Sequence, residues 1–288
     1  MNKSCGTSAL RVSRLLIAAW LSLMCAHAAA ADTSAKITRL MEVSGINFAL
    51  KQILPGMLGG FDAAQQQQPL PANARAALRD AAIQSFQAAP MQDKLRAKLA
   101  GTLNEKQIDD TLVWLDTPLG RRITEMENTT NDPANTPKML AYAEDLQKRP
   151  ATGARVKQIQ DLNRALHMSE TMATITEATL LATALGFNAA QPRQMQAPQE
   201  RIQKQIKANM PEIKKASEQH LILALLFTYR ALTDAELDSY IKFAKSPSGE
   251  AYHKSTLAGM NEAMLEAIGR YMIAIPKAVE RSKGAVGT

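Results

Sequence analysis

Past residue 31 the apolar and small positions recur every three or four residues. Ile37, Leu40, Met41, Ser44 and Phe48 mark one stretch, and Ile108, Leu112 and Leu115 another. That is the period of a helix with one buried face, and the strict alternation of a half-buried strand is not sustained anywhere. Ala, Gln, Leu, Met, Lys and Glu dominate, all good helix formers. Punctuation separates the periodic stretches. Gly59-Gly60, the Gln run at 65–68 with Pro69 and Pro71, and the segments 131–137, 150–153 and 188–198 read as loops. The pattern predicts an all-α helical bundle.

Within that bundle the chain matches itself. Leu103-Asn104-Glu105-Lys106-Gln107-Ile108 and Leu232-Thr233-Asp234-Ala235-Glu236-Leu237 open two segments at an offset of 129. The match runs without a gap to Gly120 and Gly249, with Leu, Asp, Pro and Gly identical and Trp114 answering Phe243. Upstream it is weaker, with Pro90 and Pro211 read as matching prolines inside helices. The matched residues have a helix-building reason. Asn104 and Thr233 are good N-caps, and Gln107 and Glu236, three residues on, can complete capping boxes. Leu103 with Ile108, and Leu232 with Leu237, occupy the positions of a hydrophobic staple. Thr117-Pro118 and Ser246-Pro247 each supply a cap followed by proline at the first helical position. Gly120 and Gly249 are expected to let another helix approach closely. Each unit therefore reads as a short capped helix, a tight corner and a second helix.

Residues Thr233-x-x-Glu236-Leu237 and Phe243-x-x-Ser246-Pro247-x-Gly249 resemble the signature of domain of unknown function 2059. The resemblance is clearest over 199–275 and implies an exported bacterial helical protein with no assigned catalytic residues. The first copy departs from it with Gln107 for Glu, Trp114 for Phe and Thr117 for Ser. Those changes keep helix-start chemistry and would not keep a carboxylate performing acid–base work.

The N-terminus changes the reading of charge and cysteine. Lys3, Arg11 and Arg14 precede the apolar run from Leu15 to Met24, and Ala-x-Ala patterns follow at Ala26-His27-Ala28 and Ala29-Ala30-Ala31. A basic start, a short apolar core and a small-residue exit read as a cleaved secretory signal, cut after Ala31 or else after Ala28. The apolar run is too short to span a bilayer. Cys25 follows Met24 rather than a small residue, which argues against lipid attachment. Cleavage removes Cys5 and Cys25, so the product has no disulfide, no thiolate nucleophile and no Cys-ligated zinc. Export also removes the nucleic-acid reading of the +7 formal charge. The expected localisation is periplasmic or secreted, with no membrane-spanning segment after cleavage.

Candidate chemistry is sparse. Glu250-x-x-His253 is half of a bundle-type carboxylate metal site, but no second Glu-x-x-His exists, so an exposed pair is expected. His167-x-x-Glu170 has the order reversed, and His220 borders the apolar run at 221–227. Asp109, Asp110, Asp234, Glu236 and Asp238 lie at helix starts, where acids favour the macrodipole. No Gly-x-Ser-x-Gly elbow or phosphate-cradling loop is present. Met168/Met172 and Met260/Met264 are spaced to fill a core or to hold an apolar ligand. Arg201, Lys204, Lys207, Lys214 and Lys215 form a basic stripe that is most simply the solvated face of an amphipathic helix, though it could meet anionic lipid or glycan.

The sequence therefore predicts a signal at 1–31, a first helical repeat at 32–130, a linker at 131–153 and a second repeat at 154–282, packed into one body. No catalytic, cofactor or metal residue is assigned. The expected function is non-catalytic binding to an envelope protein or surface. The alternatives are a periplasmic carrier of a small apolar ligand such as an acyl chain, and an envelope hydrolase.

Overall fold

The structure, a computed structural model, describes residues 32–67, 72–190 and 193–284. The signal read at 1–31, with its cysteines and both cleavage choices, lies outside the described residues. The described elements are all helical, with no strand among them. In order they are α1 (32–43), α2 (Ile46–Gln67), α3 (Ala72–Ser85), α4 (Ala88–Thr102), α5 (Glu105–Leu115) and α6 (Pro118–Asn131). A 3-10 turn (Pro133–Asn135) leads to α7 (Thr136–Lys148), α8 (Gly153–Leu166) and α9 (Met168–Ala190). A second 3-10 turn (Arg193–Met195) precedes α10 (Gln199–Thr228), α11 (Asp234–Ala244) and α12 (Pro247–Gly284). Among the described residues, no helix is long and apolar enough to cross a membrane.

The corners expected from the caps have a common local build. Asn104 accepts from the Gln107 amide at 2.9 Å, and the Gln107 side chain accepts from the Asn104 amide at 3.0 Å. At the other corner Glu236 Oε2 accepts from the Thr233 amide at 2.8 Å, and Thr233 Oγ1 accepts from the Glu236 amide at 3.3 Å. These bonds satisfy amides that a helix start leaves without partners. Then α5 and α11 each run for 11 residues. Thr117 Oγ1 donates to the Trp114 carbonyl at 2.7 Å and accepts from the Gly120 amide at 3.0 Å. Ser246 Oγ does the same with the Phe243 carbonyl at 2.7 Å and the Gly249 amide at 3.1 Å. One hydroxyl thus closes the outgoing helix and opens the next.

The two glycines serve this turn in a different way from the one expected. A Cβ at Gly120 would overlap the Trp114 carbonyl oxygen, and one at Gly249 the Phe243 carbonyl oxygen. The close neighbour is the end of the preceding helix, not a distant one. Both partners are backbone and cannot swing aside.

Two main cores result. Ile37, Leu40 and Met41 of α1 pack with Leu50 of α2, Leu95 and Leu99 of α4, Ile108 of α5, and Ala263, Met264, Ala267 and Ile268 of α12. The second core joins Ile123 of α6, Ile159 and Leu162 of α8, Leu225 and Leu226 of α10, and Leu237, Tyr240 and Ile241 of α11. Because α12 closes the first core, residues on both sides of 131–153 share it. Helix α12 also packs on α3 and α9. Lys94 pairs with Glu266 at 3.0 Å and Lys98 with Glu262 at 2.6 Å, aligning α4 along it. Arg270 donates to the Ser85 carbonyl at 3.0 Å, satisfying a carbonyl at the buried end of α3.

Several local expectations change. The first apolar stretch is two helices, because Gly45 takes φ +74° and breaks the chain between α1 and α2. Gly59, Gly60 and the Gln run through Gln67 lie inside α2, where no tertiary contact opposes helix continuation. The stretch read as a linker contains α7, whose Tyr142 and Leu146 pack on the second core. Pro211 is inside α10, as read, but Pro90 stands in the first turn of α4, where its missing amide costs nothing.

The corner geometry makes a direct prediction. Gly249→Ala and Gly120→Ala each lower stability by about 1–3 kcal/mol, the usual cost of forcing atoms into filled space. Gly56→Ala, inside α2 with nothing near its missing Cβ, raises stability by about 0.5–1 kcal/mol. Urea denaturation of the three variants measures both signs.

Candidate functional site

The two corners bring their matching aromatic residues together. Trp114, at the end of α5, stacks on Phe243, at the end of α11, with ring centroids 4.7 Å apart and planes within 12°. Trp114 packs against both main cores and so stands at their junction. Tyr240 extends the group, 6.3 Å from Trp114 and 5.9 Å from Tyr229. His253 of α12 lies 6.0 Å from Phe243 and 4.9 Å from Tyr252, centroid to centroid.

Three titratable types meet here. Tyr229 and Tyr240 both donate to Glu127 Oε1, at 2.6 and 3.1 Å. Burial pushes the Glu127 carboxyl above its ordinary value, and the two hydroxyls oppose that rise by stabilising the anion. Burial likewise raises both tyrosines, with the Glu127 charge adding to the effect. The His253 imidazole is pushed down to about 3 by burial, and its Nε2 has no hydrogen-bond partner. It is a neutral ring in aromatic company. Glu250 is exposed while His253 is turned inward, so the expected exposed pair does not form. The reason is packing: position 253 falls on the α12 face that meets the aromatic group.

This centre escaped sequence reading, although Glu127 carries one signal. It falls four residues after Ile123 and beside Met126, an acid on an otherwise apolar helical face. Such an acid needs buried donors, and the tyrosines supply them. Chemically the arrangement holds a carboxylate and an imidazole in place. Glu127 Oε1 accepts from two hydroxyls, and His253 Nε2 has no hydrogen-bond partner among the described residues.

The helix-start carboxylates have structural partners. Glu236 meets Arg122 of α6 at 2.7 Å, and with the Thr233 amide this holds its carboxyl down at about 2. Asp110 accepts from Ser248 Oγ at 2.6 Å, joining α5 to α12. Lys36 of α1 pairs with Asp109 at 3.0 Å and Glu105 at 3.1 Å. Arg155 of α8 pairs with Asp234 at 2.9 Å and donates to the carbonyls of Tyr229 and Leu232, tying down the end of α10. Asp238 accepts from Gln158 at 2.7 Å. These acids therefore fasten helices to one another.

The remaining candidates are dispersed. His167 caps α8 in a left-handed conformation at φ 52° and meets Glu170 at 2.9 Å. His220 is exposed on α10. Among the described residues, no three His, Cys, Asp or Glu side chains are grouped to hold a metal. Met260 and Met264 pack in the first core, Met168 packs on the second, and Met172 is exposed. Two open clefts stand out among the described residues. One, of about 680 Å³, lies beside α1, the start of α2, and α6. The other, of about 470 Å³, includes Asp62, Arg75 and Arg79 on α2 and α3. Arg201, Lys204, Lys207, Lys214 and Lys215 are all exposed on α10, and none is in an ion pair among the described residues.

Fold and geometry define an all-α protein with an aromatic and carboxylate junction between two helical cores. No family model, curated protein or solved structure matches the chain.

The junction predicts a pH dependence. Unfolded, His253 takes a proton near its ordinary value of 6.5, whereas folded it does so only at about 3. The unfolded chain therefore binds more protons between those values, and stability falls as pH drops through that window. The limiting slope is about 1.4 kcal/mol per pH unit for one proton. His253→Leu, which removes the unpartnered nitrogen, makes the decline between pH 7 and pH 5 shallower by about 1–2 kcal/mol. Urea denaturation of both proteins across that range provides the comparison.

Proposed function

We propose that the chain is an exported, non-catalytic helical protein of the bacterial envelope that binds an anionic surface through α10. Two related helical units, centred on the corners at 103–120 and 232–249, form its body. This reading follows the export signal and the resemblance to domain of unknown function 2059. The matched residues are occupied in capping, turning and joining helices.

The observation that carries the reading is the exposed cations of α10, which outnumber its acids Glu200, Glu212 and Glu218. Met210 is the one buried residue that precedes Leu225 in this helix, so its first turns stand open to solvent on most sides. Lys36, Arg39, Lys94, Lys98, Arg122, Arg155 and Arg270 all have carboxylate partners elsewhere in the fold. The five cations on α10 have none among the described residues. At the turn into the helix, Met195 is 70% exposed beside exposed Arg193. Cations flanking an apolar tip suit a surface with anionic headgroups over an apolar layer. Each such cation contributes about 1 kcal/mol near an anionic membrane, an effect that salt screens.

Sedimentation with phospholipid vesicles checks this. The full chain co-sediments with vesicles containing phosphatidylglycerol, less so at high salt, and Lys204→Glu with Lys207→Glu weakens capture. Equal capture by purely zwitterionic vesicles, or capture indifferent to the double charge reversal, would overturn the reading.

A further inference from the structure

The larger cleft has an ordered polarity that the surface-binding reading does not use. At one end Arg39 of α1 donates to Asp116 Oδ2 at 2.6 Å, and Arg121 of α6 donates to Asp116 Oδ1 at 3.1 Å. Two guanidinium groups thus share one carboxylate, which leaves an excess positive charge and unused donors. One turn further along the same helices stand Glu42 and Glu125, both exposed and neither in an ion pair among the described residues. The helices run in the same direction here, since Arg39 meets the start of α6 while Gly45 abuts Asn128 further along it. Their like-charged residues are therefore in register across the cleft, cations with cations and acids with acids.

Between these ends the cleft offers hydrogen bonding. Thr124 lines it and is only 9% exposed, yet its hydroxyl has no partner among the described residues. A threonine inside a helix usually bonds a carbonyl one turn back, as Thr111 does to Gln107 at 2.6 Å. Thr124, which lines the cleft, instead leaves its hydroxyl free to bond a ligand there. Beyond the acidic end the Asn128 amide also lines the cleft, and Phe48 and Val43 add apolar wall.

We propose that this cleft binds a short peptide with free termini, its carboxylate at Arg39 and Arg121 and its ammonium group at Glu42 and Glu125. The spacing suits that class. Three or four residues along a helix rise ~5–6 Å, and two extended peptide residues span ~7 Å. Thr124, one residue before Glu125, offers its hydroxyl to the peptide amide nearest the ammonium group. A simple anion would leave the acidic end unused, and a diamine would place a cation against the arginines. A cleft of about 680 Å³ has room for a peptide of two or three residues.

Calorimetric titration of the full chain with Ala-Ala-Ala tests the proposal. The free tripeptide binds, and N-acetylation or C-amidation each weakens binding by about tenfold or more, the loss of one charge-assisted contact. Thr124→Val and Glu125→Gln each weaken it several-fold. The capped peptides test the unmodified protein, so the result does not depend on whether a variant folds. Absence of binding at millimolar Ala-Ala-Ala, or equal binding of the doubly capped peptide, overturns the proposal. So does binding of 1,4-diaminobutane or acetate as tight as that of the tripeptide.

Discussion

The fold depends on a hydroxyl doing two jobs within one turn of backbone. At Thr117 and again at Ser246, the side chain closes one helix by donating to a carbonyl of its last turn and opens the next by accepting from a glycine amide. Proline fixes the first residue of the new helix, and glycine two residues later leaves room for the carbonyl being turned around. The directions of α6 and α12 are set at these points. Those directions bring Trp114 against Phe243, and from this contact the two cores share a boundary.

Charge then acts as fastening. Arg122 to Glu236 links α6 to α11, and Ser248 to Asp110 links α12 to α5, so each corner holds a helix belonging to the other. Exposed links of this kind contribute little stability individually and chiefly select one arrangement over others. The buried bonds from Tyr229 and Tyr240 to Glu127 are different. They compensate a carboxylate that burial would otherwise make costly, and removing either donor leaves an oxygen short of partners. Charge without an ion pair includes the cations of α10 and Glu42 and Glu125 in the cleft beside α6.

Local rules made the helices and the corners legible. Cap, box and proline positions depend on neighbours within four residues, and Asn104, Thr117, Thr233 and Ser246 all use them as their spacing implies. Long-range contacts were not legible. The His253 ring looked exposed because its partners Phe243 and Tyr252 meet it through the packing of α11 and α12, not through spacing. Gly59 and Gly60 read as a break, yet α2 passes through them. Only Gly45, which takes a left-handed φ against Asn128, interrupts the first apolar stretch. The cleft was invisible for a further reason. Arg39 and Glu42 belong to α1, whereas Arg121, Thr124 and Glu125 belong to α6, and only folding aligns the two helices.

The central claim is that the corners matter because they join two cores through one ring contact. A double-mutant cycle on Trp114→Leu and Phe243→Leu, followed by urea unfolding, isolates that contact from the burial each side chain contributes. The account predicts a coupling energy of about 0.5–1.5 kcal/mol, the range for stacked aromatic pairs. Strict additivity of the two substitutions would contradict it.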